Sequence, residues 1–392
     1  MFVLALVIAA APIVTAIYAY IVYPLIVWCV ALVRPRPTTA SPRADRWPSV
    51  TVTLPVYNAV STVRTTLERL LAVDYPRDRL QLLVLSDASN DGTDEIVREF
   101  VVRGVELLRA PIRRGKTAAE NGAVAAARGE IIVNIDATVT VPTKSLKELI
   151  RAFGDPTVGV ASGRDLSVDS AGLQGAGAEA GYTSYEMLVR DLETRAGSIV
   201  GASGCFYGIR KCIRTTALPA GLSWDFASTL VAREQGYRSV SVPSAVCIVP
   251  RTREIRTELR RKSRTMARGL STLFHFRALM NPFAYGGFAL MLVSHKLFRW
   301  IPYLLAPISL LALGFLAMGG GLAAAFFGLI SLGLVAGAVA VRYSSTARFR
   351  PLALAGFVVA AVSAGFLAWF DAIRGARVAI WDPTPRASVS QG

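Results

Sequence analysis

Val50–Asp91 reads VTVTLPVYNAVSTVRTTLERLLAVDYPRDRLQLLVLSDASND. Two apolar runs, VTVTL (Val50–Leu54) and LQLLVLS (Leu80–Ser86), flank a stretch of helical spacing over Ala59–Val73. Strand, helix and strand joined this way form a crossover unit, whose two strands run parallel. The pattern continues outward. VELL (Val105–Leu108) and IIVNI (Ile131–Ile135) read as further strands, with helices over Thr93–Val102 and Lys116–Ala127. The expectation is a mostly parallel α/β sheet with helices on both faces.

In an open parallel sheet, ligands bind beyond the carboxyl ends of the strands. Pro55, Tyr57 and Asn58 follow the first strand. Asp87, Ser89, Asn90 and Asp91 follow the second, and Asp136 follows IIVNI. Three strands thus aim polar groups at one crevice. Neither G-x-G-x-x-G nor G-x-x-x-x-G-K-[ST] is present, which argues against dinucleotide and P-loop sites. Asp87 is suited to accept a hydrogen bond from a base ring N–H. The alternative is a cap on the next turn, a role that Asn90-Asp91-Gly92 offers more readily to Asp91. Asp136 ends a strongly apolar strand. A lone carboxylate there is costly unless paired or metal-bound, and metal ligation is the expectation.

The flanks are apolar. The 392 residues are 53% hydrophobic, with 43 basic against 27 acidic side chains and a net charge of +16. Mean hydropathy is +0.45. This balance suits one soluble domain carried with membrane helices. The basic residues crowd beside the apolar runs, so they are read as membrane flanks and not as a nucleic-acid surface. Met1–Val33 carries no charged side chain, and about 20 apolar residues span a bilayer. It lacks the basic start and shorter core of a signal peptide, so it reads as an anchor, kinked at Pro12 and Pro24. A Pro-rich linker covers 34–49 and the soluble domain 50–250. Residues 251–277 place Arg256, Arg260 and Arg264 at helical spacing. That segment reads as a helix on the membrane surface, or else as a solvated helix face. Residues 278–372 hold three or four spans, and 373–392 are a tail. Ile301–Val341 is a pair of spans turning at Gly319–Gly321, Pro351–Phe370 is another, and Ala278–His295 is borderline. Basic residues after the first span and before the later ones predict a multi-pass cell-membrane protein with its soluble domain in the cytoplasm.

Cys29, Cys205, Cys212 and Cys247 show no metal-ligand spacing, and the two histidines, His275 and His295, lie near the membrane part. A His-based metal site or a Ser-His-Asp triad in the soluble domain is excluded. Glu186, Arg190 and Glu193 stand at helical spacing and are expected to pair on one face.

These residues carry a family resemblance. LPVYNAVSTVRTTLERLLAVDYPRDRLQLLVLSDASNDGT resembles the opening of the family 2 inverting glycosyltransferases, and RRGKTAAENGAVAAARGEIIVNIDATVTVP resembles their G-K and D-x-D segments. GASGCFYGIR (Gly201–Arg210) is similar to the acceptor-side loop, and WDFASTLVAREQGYR (Trp224–Arg238) to the segment bearing the catalytic base. RRKSRTMARG (Arg260–Gly269) sits where membrane synthases carry Q-x-x-R-W. The resemblance covers roughly Val50 to Gly269, with the membrane layout around it.

It implies a glycosyltransferase-A domain, with a mostly parallel, Rossmann-like sheet, plus transmembrane α-helices. Tyr57 and Asp87 would bind the base, with Pro55 and Asn58 beside them. Lys116 and Arg264 would face the phosphates. Asp136 would hold Mg2+ or Mn2+ as the first D-x-D carboxylate, and Asp225 would be the general base. Gly204, Cys205, Phe206 and Tyr207 would form the acceptor loop. The implied reaction is inverting transfer of a sugar from a nucleotide-sugar, with a UDP-sugar expected, to a polysaccharide or lipid-linked acceptor. Homo-oligomers or synthase partners would complete it. Departures are visible. Thr138 replaces the second D-x-D carboxylate, Ala59 and Trp224 stand where acidic residues are frequent, and Thr265 replaces the synthase tryptophan. They put processive polymerisation in doubt and leave open a catalytically silent, nucleotide-sugar-binding subunit. Asp165 and Asp169 are candidates for the missing ligand.

Overall fold

The computed structural model describes residues 1–34, 47–168, 178–250, 255–343 and 349–374. Most of the expected linker, most of the expected tail and Asp169 lie outside them. The chain divides into two compact units.

One unit is built on a sheet of seven strands: β1 (Val50–Val56), β2 (Leu80–Ser86), β3 (Val105–Arg109), β4 (Ile131–Ile135), β5 (Val158–Val168), β6 (Phe206–Arg210) and β7 (Arg238–Pro250). Their order is β3-β2-β1-β4-β6-β5-β7. β3, β2, β1 and β4 are mutually parallel, as the sequence pattern requires. β6 runs antiparallel to both β4 and β5, while β5 and β7 are parallel. The four strands read from sequence are all present. The helices between them are Val63–Leu71, Thr93–Glu99 and Lys116–Ala126, each at least one residue shorter than its apolar pattern.

The main core lies on one face of β1 and β4, with Leu54, Leu67, Ile131, Ile135, Leu146 and Ile150 fully buried. Buried polar side chains on the opposite face bond across strands. Thr51 Oγ1 donates to Gln81 Oε1 at 2.7 Å, and Thr53 Oγ1 donates to Asn134 Oδ1 at 2.7 Å. Each bond ties β1 to a neighbouring strand, so a register slip would leave buried groups unmade.

Pro55 lies within β1 and is buried, not in the loop after it. The ladder from β1 to β4 ends at Thr53↔Asn134, two residues earlier. A residue without an N–H therefore costs no ladder bond on that side.

The other unit is helical. Four helices are long and apolar enough to cross a membrane: Phe2–Val33, Gly287–Ala317, Gly321–Arg342 and Leu354–Ile373. The first contains a π-turn, Tyr18–Val22, next to Pro24. A proline removes the amide its turn needs, and a wider turn absorbs the loss. Three candidate spans follow the sheet among the described residues, not four. Arg277–Met280 and Pro282–Tyr285 are short turns, and the chain from Gly287 onward runs into Phe298–Ala317. The turn between the next two helices falls at Gly320 and Gly321, both at positive φ. The helix Ile255–His275 packs on this unit through Met266, Ala267 and Leu270, against Ala368 and Trp369.

Candidate active site

Two strand ends and one loop build one side of the crevice. The Asp87 N–H donates to Val56 O at 3.0 Å, locking the end of β2 to β1. Its carboxylate accepts the backbone N–H groups of Arg114 and Gly115, both at 2.8 Å. Asp87 therefore pins the loop that leads from β3 into the Lys116–Ala126 helix. It does not cap its own turn. That task falls to Asp91, whose Oδ1 accepts Thr93 N–H at 3.0 Å. The pinned loop lays the Arg113 guanidinium over the Tyr57 ring, 3.7 Å from its centroid. Asn58, at φ 49°, clamps the two loops together. Its N–H donates to Ser89 Oγ at 3.2 Å, and its Oδ1 accepts Asn90 N–H at 3.0 Å.

The charged centre lies one step along. Lys116 Nζ donates to Asp136 Oδ1 at 2.6 Å and to Gly204 O at 3.2 Å. Glu120 Oε1 stands 3.9 Å from the same ammonium. The antiparallel register Ile135↔Phe206 brings the end of β4 to the start of β6. Asp136 and Gly204-Cys205 meet there, and Asp136 N–H donates to Cys205 O at 3.1 Å. Asp225 opens the Trp224–Glu234 helix and accepts from the Ser223 hydroxyl. A Cβ at position 204 would lie 2.9 Å from Asp225 Oδ2. A side chain there would displace the carboxylate from this position.

Burial works against the Lys116 charge, but Asp136, Glu120 and Asp225 overcome it and hold the ammonium well above its ordinary value. Burial pushes the Glu120 carboxyl up, and Lys116 and Arg214 pull the other way. Glu120 was not singled out from the sequence, where it is one carboxylate in an alanine-rich helix. Its spacing of four from Lys116 was the available signal.

The Lys116–Ala126 helix also fixes the segment that carries Asp225. Thr117 Oγ1 donates to Leu222 O at 2.7 Å, and Asn121 Nδ2 to Leu218 O at 2.8 Å. Asn121 Oδ1 accepts Trp224 Nε1 at 2.7 Å. Arg214 Nη2 donates to Glu120 O at 2.9 Å, and its guanidinium lies 4.0 Å from the Trp224 ring centroid.

Some expectations need correction. Phe206 and Tyr207 belong to β6 and are buried, so the expected acceptor loop narrows to Gly204 and Cys205. Asp165 is engaged by other side chains. Its Oδ1 accepts from Ser203 Oγ at 2.5 Å and from Cys247 Sγ at 3.2 Å, and desolvation pushes its carboxyl up despite Arg190. Glu186 and Arg190 do pair, at 3.6 Å, but as buried groups, and Arg190 Nη2 also reaches Ala202 O at 3.3 Å. Arg264 lies in the Ile255–His275 helix of the other unit. Among the described residues no three His, Cys, Asp or Glu side chains gather as a metal cage. Asp136 alone fits a hard divalent cation in the mode where one carboxylate, phosphate oxygens and water share the coordination.

Residues 51–213 match the model of glycosyl transferase family 2. The chain carries a family 2 glycosyltransferase domain. The matched stretch contains Asp87, Lys116, Asp136 and Gly204, and ends before Asp225. The chain is 29% identical over 130 residues to a probable glycosyltransferase of Bacillus subtilis, covering 32% of this chain and 31% of that one. It is 24% identical over 219 residues to a poly-beta-1,6-N-acetyl-D-glucosamine synthase of Staphylococcus aureus, covering 53% and 52%. The matches thus span about half or less of these relatives' length. A mannosyltransferase of Pyrobaculum calidifontis, solved with GDP-Man and Mn2+, superposes with a TM-score of 0.71 at 23% identity. That match covers 96% of this chain and 99% of the other. The glycosyltransferase-A fold expected of the family 2 domain is the fold observed.

Proposed function

We propose that this protein is a multi-pass membrane glycosyltransferase that moves a sugar, with inversion, from a nucleotide-sugar to a polysaccharide or lipid-linked acceptor. The observation that carries the reading is the contiguous set Lys116–Asp136–Gly204–Asp225 at the carboxyl end of β4. It offers a cation, a metal-binding carboxylate and a second carboxylate within one crevice. Inverting transfer needs charge neutralisation at the leaving diphosphate and a base for the attacking hydroxyl.

The roles divide by position. Tyr57 and Arg113 form a flat platform suited to a base, beside the loop that Asp87 pins. The Lys116 ammonium faces the diphosphate. Asp136 would hold Mg2+ or Mn2+, which when bound neutralises charge on the leaving oxygens. Asp225 takes the proton of the acceptor hydroxyl; a placed base supplies about 10²–10⁴ in rate. Its position against Gly204 and Ser223 holds one carboxylate rotamer. A single displacement inverts the anomeric centre without an enzyme nucleophile. The positive-inside pattern of the flanks supports a cytoplasmic place for this domain.

The nucleotide of the mannosyltransferase neighbour is a guanosine one, while the sequence reading favours a UDP-sugar. Detergent-solubilised full-length protein is therefore assayed for nucleoside-diphosphate release across UDP- and GDP-sugars, with lipid extract as acceptor and with or without Mg2+ or Mn2+. Release from one donor that is lost in Asp225→Asn and Asp136→Asn supports the proposal. No release from any donor refutes it in favour of a silent subunit.

A further inference from the structure

Lys116 stands between two carboxylates of different kinds. Asp136 faces the crevice, with its side chain 22% exposed, and holds the ammonium at 2.6 Å. Glu120 lies one helical turn along, with its side chain only 2% exposed and Oε1 3.9 Å from the ammonium. That oxygen accepts no hydrogen bond. A carboxylate oxygen left so is costly, and an apolar side chain would fill the place without that cost. Thr117 and Ala123, the other buried positions of this helix, carry no charge.

The inference rests on the reading of Asp136 as the ligand of a divalent cation. In this structure the lysine occupies that carboxylate. A cation on that carboxylate repels the ammonium and weakens the lysine's hold on it. The 3.9 Å gap to Glu120 needs to close by about 1 Å to reach a charge-assisted hydrogen bond. Residues four apart on a helix meet on one face, so rotation of the lysine side chain suffices. We propose that Glu120 is a positioning residue that receives the Lys116 ammonium when a divalent cation takes Asp136. Both positive charges then remain in the crevice, side by side, to face the diphosphate. Without Glu120 the lysine keeps its hold on Asp136 and competes with the cation.

The test is Mn2+ alone, titrated into the detergent-solubilised full-length protein, with free Mn2+ followed by its paramagnetic resonance signal. Wild type binds Mn2+ and Asp136→Asn does not. Lys116→Met binds it more tightly than wild type. Glu120→Gln weakens binding by about fivefold or more, the size expected of directly coupled groups. In the Lys116→Met background the same substitution has a clearly smaller effect. Equal losses in both backgrounds would reduce Glu120 to a charge acting through space and overturn the proposal. Unchanged binding in Glu120→Gln, with dependence on Asp136 intact, overturns it too and leaves the cation reading standing. No Asp136-dependent binding in wild type or in Lys116→Met overturns both. If Glu120→Gln does not fold, Glu120→Asp keeps the charge but withdraws it by one methylene. An affinity loss that again requires Lys116 supports the relay, and an unchanged affinity overturns it.

Discussion

In the sheet unit, Thr51, Thr53, Gln81 and Asn134 lie in the core and bond one another across strands. In the helical unit, the tightest approach is made where Gly337 faces Ala355 and Val359. The two units meet the same requirement under different solvents. Expulsion of water drives the sheet together, and polar pairs inside it fix register at modest net cost. Helices in lipid gain little from burying apolar surface, so close van der Waals contact at small residues has to hold them. A sheet with this interior can carry charged residues to its rim. The described spans add to close packing a few single hydrogen bonds, such as Ser309 Oγ to Ala9 O at 2.7 Å and Trp369 Nε1 to Trp300 O at 2.9 Å.

The largest expected effect sharpens the sheet side of the comparison. Asp225→Asn should lower nucleoside-diphosphate release by about 10²–10⁴-fold while donor binding, read by calorimetry, is retained. Loss of binding in parallel would mean that Asp225 shapes the donor pocket and is no base. Next comes the helical side. A Cβ at Gly337 would lie 2.6 Å from the Ala355 carbonyl oxygen, which is backbone and cannot rotate away. Gly337→Leu should cost about 1–3 kcal/mol by overpacking, seen as a lower unfolding midpoint in detergent. An unchanged midpoint would break the contrast, because close packing would then not be what holds these helices.

Smaller effects return to the sheet. Asn134 Nδ2 already lacks a hydrogen-bond partner. Thr53→Val removes the bond to Asn134 Oδ1 as well and should cost about 1 kcal/mol or somewhat more. The double substitution Thr53→Val with Asn134→Leu should cost less than the sum of the two singles, measured by denaturant unfolding. Strict additivity would show that the pair is not a unit. The smallest effect is one of pH. Desolvation opposes ionisation of Asp155, but the Thr157 hydroxyl and Arg238 outweigh it and hold the carboxyl below its ordinary value. A depressed folded value means stability that is present above the unfolded value, about 3.9, and lost as pH falls through the folded one. Between pH 7 and strongly acid solution, wild type should lose more stability than Asp155→Asn. Equal losses would remove Asp155 from the account.

The parallel half of the sheet was legible because its strands are short apolar runs between amphipathic helices, and because strand ends predict ligand positions. Asp136 was placed by that rule, whereas Lys116 entered through the family resemblance. The antiparallel half was not. FYGIR follows GASGC, and a glycine-rich lead into five residues reads as a loop. Only the pairing of Phe206 with Ile135 makes it a strand. That pairing turned two expected loop residues into core. Glu120 escaped notice because helical spacing says which residues share a face. It does not say that the face is covered by the segment from Arg214 to Asp225. Pro55 shows the opposite error. Its type suggests a break, and the break in the ladder was already there.

The Lys116–Ala126 helix presents the ammonium from its first residue and grips the Asp225 segment through Thr117 and Asn121. One helix therefore sets the spacing between the Lys116 ammonium and the segment that carries Asp225, the two ends of the proposed transfer. Such a helix works as a gauge block: the separation on which the chemistry depends is referred to a single part, and is insulated from tolerances elsewhere in the assembly.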